Sequence, residues 1–343
     1  MKEKQRDVPQ TSPLAGYSLP SDQLSNQFVE IISVIHRNQT KPVWCIQTSN
    51  LLSDSFLRLS NFLGCDLLLE CGAHNAETSR RFVSMGIGNA IAIEANPHTF
   101  ETLTASSQGA GVVALPFGLG SKVGEMILQI PLDSGTKIPG NASFLSREND
   151  TRCLEIPVPM TTVDRILIDA SPFTSIALWI DVEGMSAEVL LGAKDSLEKG
   201  EIALIHVEVE THSYWKGQSL LNEVDEFLRT HSFRPILRDF QTETQFNVIY
   251  VHTRNLQEID SICREYWTRL TALRARAFLR KDWTFRDSLR SIKLGLVNRP
   301  DLTRTKVLHH IAAALGSRSS RQWLKSSEKL KVFSQDEIGE QPN

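Results

Sequence analysis

The chain has 343 residues, of which 41% are hydrophobic and 22% are charged, and its formal net charge is −3. This length fits one large domain with appendages or two ordinary domains, and the composition is typical of soluble globular proteins. No apolar run approaches the roughly 20 residues of a membrane helix, and the charged N-terminus is not a secretory signal. We therefore predict a cytoplasmic protein without a membrane span.

The cysteines and the charge distribution exclude further classes. The five cysteines are odd in number and form no CxxC pair, which argues against a disulfide framework or a zinc ribbon and predicts reduced thiols. Up to His252 the chain has 19 Lys and Arg against 30 Asp and Glu, whereas the remainder has 18 against 10. This asymmetry predicts a boundary near residue 254, between an acidic main domain and a basic tail. Without long basic runs or interleaved aromatic residues, the tail does not predict a nucleic-acid partner.

The first half of the chain alternates strands and helices. Residues 1–20 are expected to form a flexible lead and residues 21–65 a helical N-terminal extension. CDLLLECGA predicts a strand that ends at Glu70, a turn through Gly72 and then the helix AETSRRFVSMG. AIAIEANP predicts a second strand that ends at Glu94, and HTFETLTASS predicts the next helix. GVVALPFG predicts a third strand.

Residues 124–159 are predicted to form an irregular stretch, and the alternation of strands and helices resumes after them. SIALWIDVEG predicts a fourth strand, MSAEVLLGAKDSLEKG a single helix and EIALIHVEVE a fifth strand. The helix SLLNEVDEFLRTHS follows, and the strands FRPILRDF and FNVIYVHT, joined by the polar turn QTETQ, close the domain. Residues 254–343 predict a basic, mainly helical extension with a flexible end that packs on the main domain or on a partner.

This order predicts an α/β fold with a doubly wound, mainly parallel, seven-stranded sheet whose last two strands are antiparallel to each other. Ligands of such sheets bind beyond the carboxyl ends of the strands. Asp181 and Glu183, at the end of the fourth strand, should therefore lie at the mouth of a cleft. Glu94 ends the second strand 22 residues after Gly72, close to the spacing at which a carboxylate binds ribose hydroxyls. The alternative for the turn through Gly72 is an ordinary connection between a strand and a helix, without a ligand.

The segments LLLECGAHNA, AIAIEANP and IDVEGMSAEVLLGA follow one another in an order that resembles the FkbM family of methyltransferases. These are class I enzymes that depend on S-adenosylmethionine and have a Rossmann-like fold. The resemblance extends from about Leu67 to about His252, which implies a methyltransferase domain over residues 66–253. Two departures are Ala76, where the family often has glycine, and Trp179, where it often has lysine; Trp179 either stacks on a ligand or packs in the core.

The resemblance also implies which residues bind the cofactor. These residues would contact the methionine part, the ribose, the adenine or the transferred methyl group. They are Glu70, Gly72, His74, Asn75, Glu94, Ala95, Asn96, Gly118, Leu119 and Asp181.

Methyl transfer from a sulfonium is an in-line displacement, so it requires an aligned nucleophile, exclusion of water and removal of one proton. Asp181 and Glu183 are candidates to stabilise the cation or to orient a hydroxyl. His206, Glu208 and Glu210 share one side of the fifth strand. His212 is the first candidate for a base, because histidine changes charge nearest neutral pH; the alternative is an exposed loop histidine. A divalent metal could also bind this acidic cluster, but no metal-ligand spacing is present, so no metal is assigned.

Three functions follow from these patterns. The first, which the resemblance implies, is S-adenosylmethionine-dependent O-methylation of a hydroxyl of a sugar, glycan or small natural product. The second is dinucleotide-dependent oxidoreduction, which the antiparallel closing strands and the lack of a full GxGxxG disfavour. The third is a non-catalytic binding module on the same fold. The expected partner is a small-molecule or glycan acceptor, and no oligomeric state is predicted.

Overall fold

The computed structural model describes residues 43–133, 136–137, 139–148, 152–170, 172–242, 244–266 and 269–270. The predicted flexible lead, residues 21–42 of the predicted N-terminal extension and the basic tail beyond residue 270 lie outside this part of the chain. Within it, no helix has both the length and the apolar character needed to cross a membrane.

Eleven strands occur within the described residues. In chain order they are β1 (Leu67–Cys71), β2 (Asn89–Ile93), β3 (Val112–Leu115), β4 (Gly118–Leu119), β5 (Gly124–Asp133), β6 (Thr136–Lys137), β7 (Cys153–Thr161), β8 (Ile176–Ile180), β9 (Ile202–Glu210), β10 (Phe233–Arg238) and β11 (Gln245–His252). Seven of them form the main sheet, in the order β10-β11-β9-β8-β1-β2-β3. β11 is antiparallel to both of its neighbours, and the other pairs are parallel. The predicted α/β fold class and its seven-stranded, mainly parallel sheet are confirmed.

Helices cover both faces of the main sheet. They are α1 (Val43–Phe62), α2 (Glu77–Ser84), α3 (Pro97–Ser107), α4 (Val163–Ala170), α5 (Ser186–Leu191), α6 (Lys194–Lys199) and α7 (Leu221–Thr230). Side chains of α4 to α7 pack with Leu69, Leu178 and Val207 on one face. α1 and α2 pack on the opposite face, and α3 packs there against β2. Strands buried on both faces explain the nearly continuous apolar runs in the sequence.

The segment after β11 completes the face that α1 covers. Ile259, Ile262 and Tyr266 are buried against the α1 side chains Phe56 and Leu57. The two terminal guanidinium nitrogens of Arg58, Nη1 and Nη2, donate to the carboxylate of Glu265 at 2.7 and 2.8 Å. Both flanks of the predicted methyltransferase domain therefore contribute to its hydrophobic core.

The structure corrects the expectation of an irregular stretch over residues 124–159. β5 and β7 pair antiparallel over eight registered positions, and with β4 and β6 they form a second, four-stranded sheet. Leu128, Ile130 and Val158 form its small core. Pro157 and Pro159 lie where β7 has a partner on one side only, because β4 pairs only with Met160 and Thr161. Proline is tolerated at such an unpaired edge, which is why the prolines do not prevent a strand here.

The single helix expected after Glu183 is two helices, α5 and α6. A Cβ atom at Gly192 would lie 2.1 Å from the carbonyl oxygen of Gly120, so the segment that follows β4 approaches the chain too closely for a side chain there. The carboxylate of Asp164 accepts hydrogen bonds from the Asp195 and Ser196 N–H groups and caps α6. A long-range contact therefore interrupts a helix that local periodicity favours.

Candidate active site

A cavity of about 420 Å³ lies at the carboxyl edge of β1, β2, β8 and β9. The turns after β1, β2 and β8 form its floor, and residues of the second sheet and of the turn after β10 form its walls. It therefore occupies the position at which ligands bind in doubly wound sheets.

The turn after β1 requires glycine at position 72. Gly72 has a φ angle of 79°, and a Cβ atom there would lie 1.9 Å from the carbonyl oxygen of Asp181. The N–H groups of Gly72 and Ala73 both donate to the Ile93 carbonyl oxygen at 2.9 Å. The turn thus holds the ends of β1, β2 and β8 together.

The first helix after this turn is capped from within the sheet. Ala76, at the N-cap of α2, has a φ of 55° and no side-chain oxygen with which to cap the helix. The buried carboxylate of Glu70 accepts a hydrogen bond from the Ser79 N–H at 2.8 Å instead. Burial raises the pKa of Glu70 to about 7, although the hydrogen bonds from Ser79 and Thr78 oppose the shift.

Glu94 directly follows β2 and faces the cavity. Its Oε1 accepts from the Asn96 N–H at 2.8 Å, and its Oε2 accepts from the His74 N–H at 3.0 Å. Each carboxylate oxygen can accept a second hydrogen bond, so the group is held in place and can still bind two hydroxyls. Burial raises the pKa of Glu94, and the hydrogen bonds from Asn96 and His74 limit that rise.

Asp181 and Glu183 follow β8. The Asp181 N–H donates to the Cys71 carbonyl oxygen at 3.0 Å, which fixes the chain as it leaves the sheet. Glu183 has a φ of 39°, and its carbonyl oxygen accepts from the Ser143 hydroxyl of the second sheet's connecting segment at 2.7 Å. This bond stabilises a backbone conformation that is uncommon for a residue other than glycine.

Asp181 and Glu183 belong to a carboxylate cluster, completed by Glu208 and Glu210 of β9. The side chain of Asp181 is open to the cavity but enclosed by its walls, and burial raises its pKa to about 6, with repulsion from Asp239 adding to the shift. Burial, followed by repulsion within the cluster, raises the pKa of Glu183 to about 7 and that of Glu210 to about 8. These carboxylates therefore change charge near neutral pH.

Of the cluster members that line the cavity, Glu208 is the most buried. Its residue is 7% exposed, and its Oε2 has no hydrogen-bond partner among the described residues. Burial, then repulsion from Asp181, Glu183 and Glu210, raises its pKa well above the usual range. Across the described part of the chain, no three His, Cys, Asp or Glu side chains are arranged to hold a metal ion.

The structure brings eight of the predicted site residues together in the cavity wall. They are Gly72, His74, Glu94, Ala95, Asn96, Leu119, Asp181 and Glu183.

Four predicted site residues do not line this cavity. Glu70 caps α2, and Asn75 accepts a hydrogen bond through its carbonyl oxygen from the Ser106 hydroxyl. Gly118 is packed against Phe144 and Met160, whose side chains leave no room for a Cβ atom. His212 is exposed beyond β9, with its ring edge-on to Tyr214.

Trp179 packs away from the cavity. Its ring stacks on His206 with centroids 3.4 Å apart and meets Phe56 of α1 edge-on at 5.2 Å. Burial lowers the pKa of His206 to about 3, so this histidine is neutral at physiological pH. Of the two interpretations of Trp179, the structure supports the core aromatic.

Several lining residues were not predicted. Ser143 and Phe144 come from the connection between β6 and β7, Gln241 comes from the turn between β10 and β11, and Gln245 is the first residue of β11. The sequence predicts this turn only as a polar connection. The antiparallel direction of β11 could have indicated that it lines the cavity, because β11 places Gln245 opposite Glu210, the last residue of β9.

Residues 70–235 match a family model described as the methyltransferase FkbM domain. No curated protein matches the sequence.

Solved structures similar to the chain include three from bacteria. A magnesium protoporphyrin IX methyltransferase from Synechocystis PCC 6803 with bound S-adenosylmethionine is 8% identical, with a TM-score of 0.37, and the match covers 68% of this chain and 100% of that one. A protein of the NADB-Rossmann superfamily from Streptococcus agalactiae is 11% identical, with a TM-score of 0.35 and coverage of 79% and 95%. Precorrin-6y C5,15-methyltransferase from Geobacter metallireducens is 11% identical, with a TM-score of 0.34 and coverage of 59% and 87%. With TM-scores below 0.5, these matches assign neither a substrate nor a residue role to this chain.

Proposed function

We propose that the chain O-methylates a hydroxyl of a sugar, a glycan or a small natural product, because residues 70–235 match the methyltransferase FkbM domain. S-adenosylmethionine is the methyl donor that the family implies. Asp181 is proposed as the group that accepts the hydroxyl proton, with Glu183 beside it.

The observation that carries this proposal is that Glu94, the Gly72 turn and Asp181 all face one cavity. Glu94 fits a ribose because its carboxylate is fixed by two backbone N–H groups and retains free lone pairs for a diol. The backbone of Gly72 packs directly against the backbone of Asp181, so the turn after β1 and the end of β8 are adjacent in the cavity. The cavity volume lies within the range of small-molecule sites.

S-adenosylmethionine, when bound, supplies a methyl group whose bond to sulfur breaks as its bond to the acceptor oxygen forms, which leaves S-adenosylhomocysteine. Asp181 would hold the acceptor hydroxyl and take its proton, and a pKa of about 6 leaves the carboxylate ionised and available at neutral pH. Phe117, Leu128 and Phe144 would exclude water from the same cavity. His212, exposed outside the cavity wall, is a weaker candidate for this base.

Domain boundaries belong to the same proposal. We assign residues 66–253 to the methyltransferase domain, with extensions over residues 21–65 and 254–343. The burial of α1 and of Tyr266 in one core supports extensions that stabilise the domain. We also propose a cytoplasmic location, because Cys65, Cys71, Cys153 and Cys263 are free thiols, which reducing compartments preserve.

Mass spectrometry tests the function directly. The full chain is incubated with methyl-labelled S-adenosylmethionine and panels of sugars, glycans and small hydroxylated metabolites. The expected product carries one labelled methyl group on oxygen. Binding of S-adenosylmethionine without transfer to any panel would favour the non-catalytic module, and binding of NAD instead would favour the oxidoreductase.

A further inference from the structure

Two buried oxygen atoms that lack a hydrogen bond belong to residues paired across β9 and β11. Glu208 and Asn247 are directly opposite in the strand register. Glu208 Oε2 and Asn247 Oδ1 have no partner within the described part of the chain, and the two residues are 7% and 9% exposed. Opposed side chains of an antiparallel pair point to the same face, with Cβ atoms about 4.5 to 5.5 Å apart. The two oxygens are therefore within reach of each other.

The amide of Asn247 is held in one orientation. Its Nδ2 donates to Asp239 Oδ2 at 3.0 Å, and the same oxygen accepts from the Ser49 hydroxyl of α1 at 2.7 Å. A flipped amide would place its oxygen against the Asp239 carboxylate, so these contacts require the orientation in which Oδ1 is unpaired. The Glu208 carboxyl, for its part, has the Gln245 side chain as a hydrogen-bond partner.

A proton on Glu208 satisfies both unpaired oxygens. Amide and carboxylate oxygens only accept hydrogen bonds, so an ionised Glu208 could not bond to Asn247 Oδ1. A protonated carboxyl carries one O–H donor, and the opposite residue supplies the acceptor. A single hydrogen bond between them removes the cost of burying two unsatisfied polar atoms.

The titratable groups that face Glu208 do not neutralise a carboxylate there. They come from the end of β8, from β9 itself and from the end of β10, and they are Asp181, Glu183, His206, Glu210 and Asp239. His206 is neutral because burial lowers its pKa to about 3. Arg238 points to the opposite face of the sheet, since its partner in the register is Val248. Burial, followed by repulsion from the nearest carboxylates, raises the pKa of Glu208 well above the usual range.

We propose that Asn247 and Glu208 form a positioning pair, in which the protonated Glu208 carboxyl donates a hydrogen bond to the Asn247 amide oxygen and leaves Asp181 as the ionised group beside the acceptor. The part that concerns Asp181 rests on the proposed function, in which Asp181 accepts the hydroxyl proton. An ionised Glu208 would repel the Asp181 carboxylate and favour its protonated form, which cannot act as a base. The pair thus keeps the proposed base ionised at neutral pH.

Infrared spectroscopy tests the protonation of Glu208 without turnover. At neutral pH the full chain should show a C=O band of a protonated carboxyl that is absent in Glu208→Gln. In Asn247→Leu, which removes the hydrogen-bond acceptor, this band should move to higher frequency or disappear. Glu101→Gln, on the exposed surface of α3, is the matched control and should leave this region of the spectrum unchanged. Asn247→Ala takes the place of Asn247→Leu if the latter does not fold, and a band that is unchanged in either test variant would overturn the proposal.

The pH dependence of kcat tests the part that concerns Asp181, with the acceptor that mass spectrometry identifies. The wild-type midpoint should lie near pH 6. Glu208→Gln replaces one neutral group with another, so the midpoint should not move, whereas removal of a neighbouring negative charge would lower it by roughly one pH unit or more. A lowered midpoint would therefore overturn the proposal. Absence of methyl transfer to every acceptor, with the infrared band present, would instead overturn the proposed function and support the hydrogen bond between Glu208 and Asn247.

Discussion

Asp181 directly follows β8, faces the cavity and has a pKa raised to about 6, chiefly by burial. Asp181→Asn keeps the shape and removes the charge, so we expect kcat to fall by about 10²-fold or more, with cofactor affinity changed much less. In the wild type, kcat should decrease as the pH falls through about 6, because a protonated carboxyl cannot accept the hydroxyl proton. Steady-state kinetics against pH measures both effects.

Glu183→Gln is the comparison for Asp181→Asn. It should lower kcat less, because the Glu183 backbone, and not its side chain, shapes the turn through the hydrogen bond from Ser143. Full turnover in Asp181→Asn would show that another group, Glu210 or His212, accepts the hydroxyl proton.

Glu94 is the carboxylate predicted to hold the ribose. Glu94→Ala should weaken S-adenosylmethionine binding by about 1.5 to 3 kcal/mol, since hydrogen bonds to a charged group are lost. Isothermal titration calorimetry provides the affinity, and Glu101→Ala, on the exposed surface of α3, controls for loss of an acidic side chain. Equal affinities in the two folded variants would contradict this role.

Glu210 is buried, and its pKa is raised to about 8 by burial and by repulsion from Glu183. A carboxyl whose pKa is higher in the folded than in the unfolded state binds more protons when folded, so stability decreases as the pH rises from about 5 to 8. Glu210→Gln should remove part of this decrease and raise the free energy of unfolding at pH 8 by at least about 1 kcal/mol. Urea denaturation at pH 5 and pH 8 measures it; parallel pH profiles would show that Glu210 does not contribute.

At the scale of elements, the turn between β1 and α2 depends on the absence of a side chain at Gly72. Gly72→Ala should lower the free energy of unfolding by about 3 kcal/mol or more, because the new Cβ atom meets the Asp181 backbone. Gly86→Ala is a matched control, since Gly86 has a φ of 69° but no atom near its Cβ position, and should cost only about 1 kcal/mol. Similar denaturation curves for the two variants would mean that the turn relaxes.

Apolar periodicity located the strands of the main sheet because each is an apolar run bounded by turn residues, although β3 is only partly buried. It missed β5 and β7, since Pro131, Pro157 and Pro159 interrupt their apolar patterns and β7 is only partly buried. It also joined α5 and α6, because the backbone of Gly120 that approaches Gly192 comes from another part of the fold. Local patterns therefore predicted the apolar strands and failed where prolines or a contact with another segment decide.

At the scale of the whole molecule, the face covered by α1 depends on the segment after residue 254. A chain that ends at residue 254 loses Ile259, Ile262, Tyr266 and Leu270, which pack against α1, and we expect its free energy of unfolding to fall by at least about 3 kcal/mol. A chain that ends at residue 270 keeps these side chains and isolates their contribution. Thermal denaturation compares the two; identical unfolding temperatures would show that the segment is dispensable.

The sequence by itself determined the α/β alternation, the family resemblance and the strand ends at which Glu94, Asp181 and Glu183 lie, because these follow from local periodicity and chain order. Only the tertiary structure decided which side chains share the cavity. It directed Glu70 to the N-terminus of α2 and left His212 outside the wall. It also placed Glu208 among three carboxylates, since charge clustering and burial arise when strands distant in sequence become neighbours in the sheet.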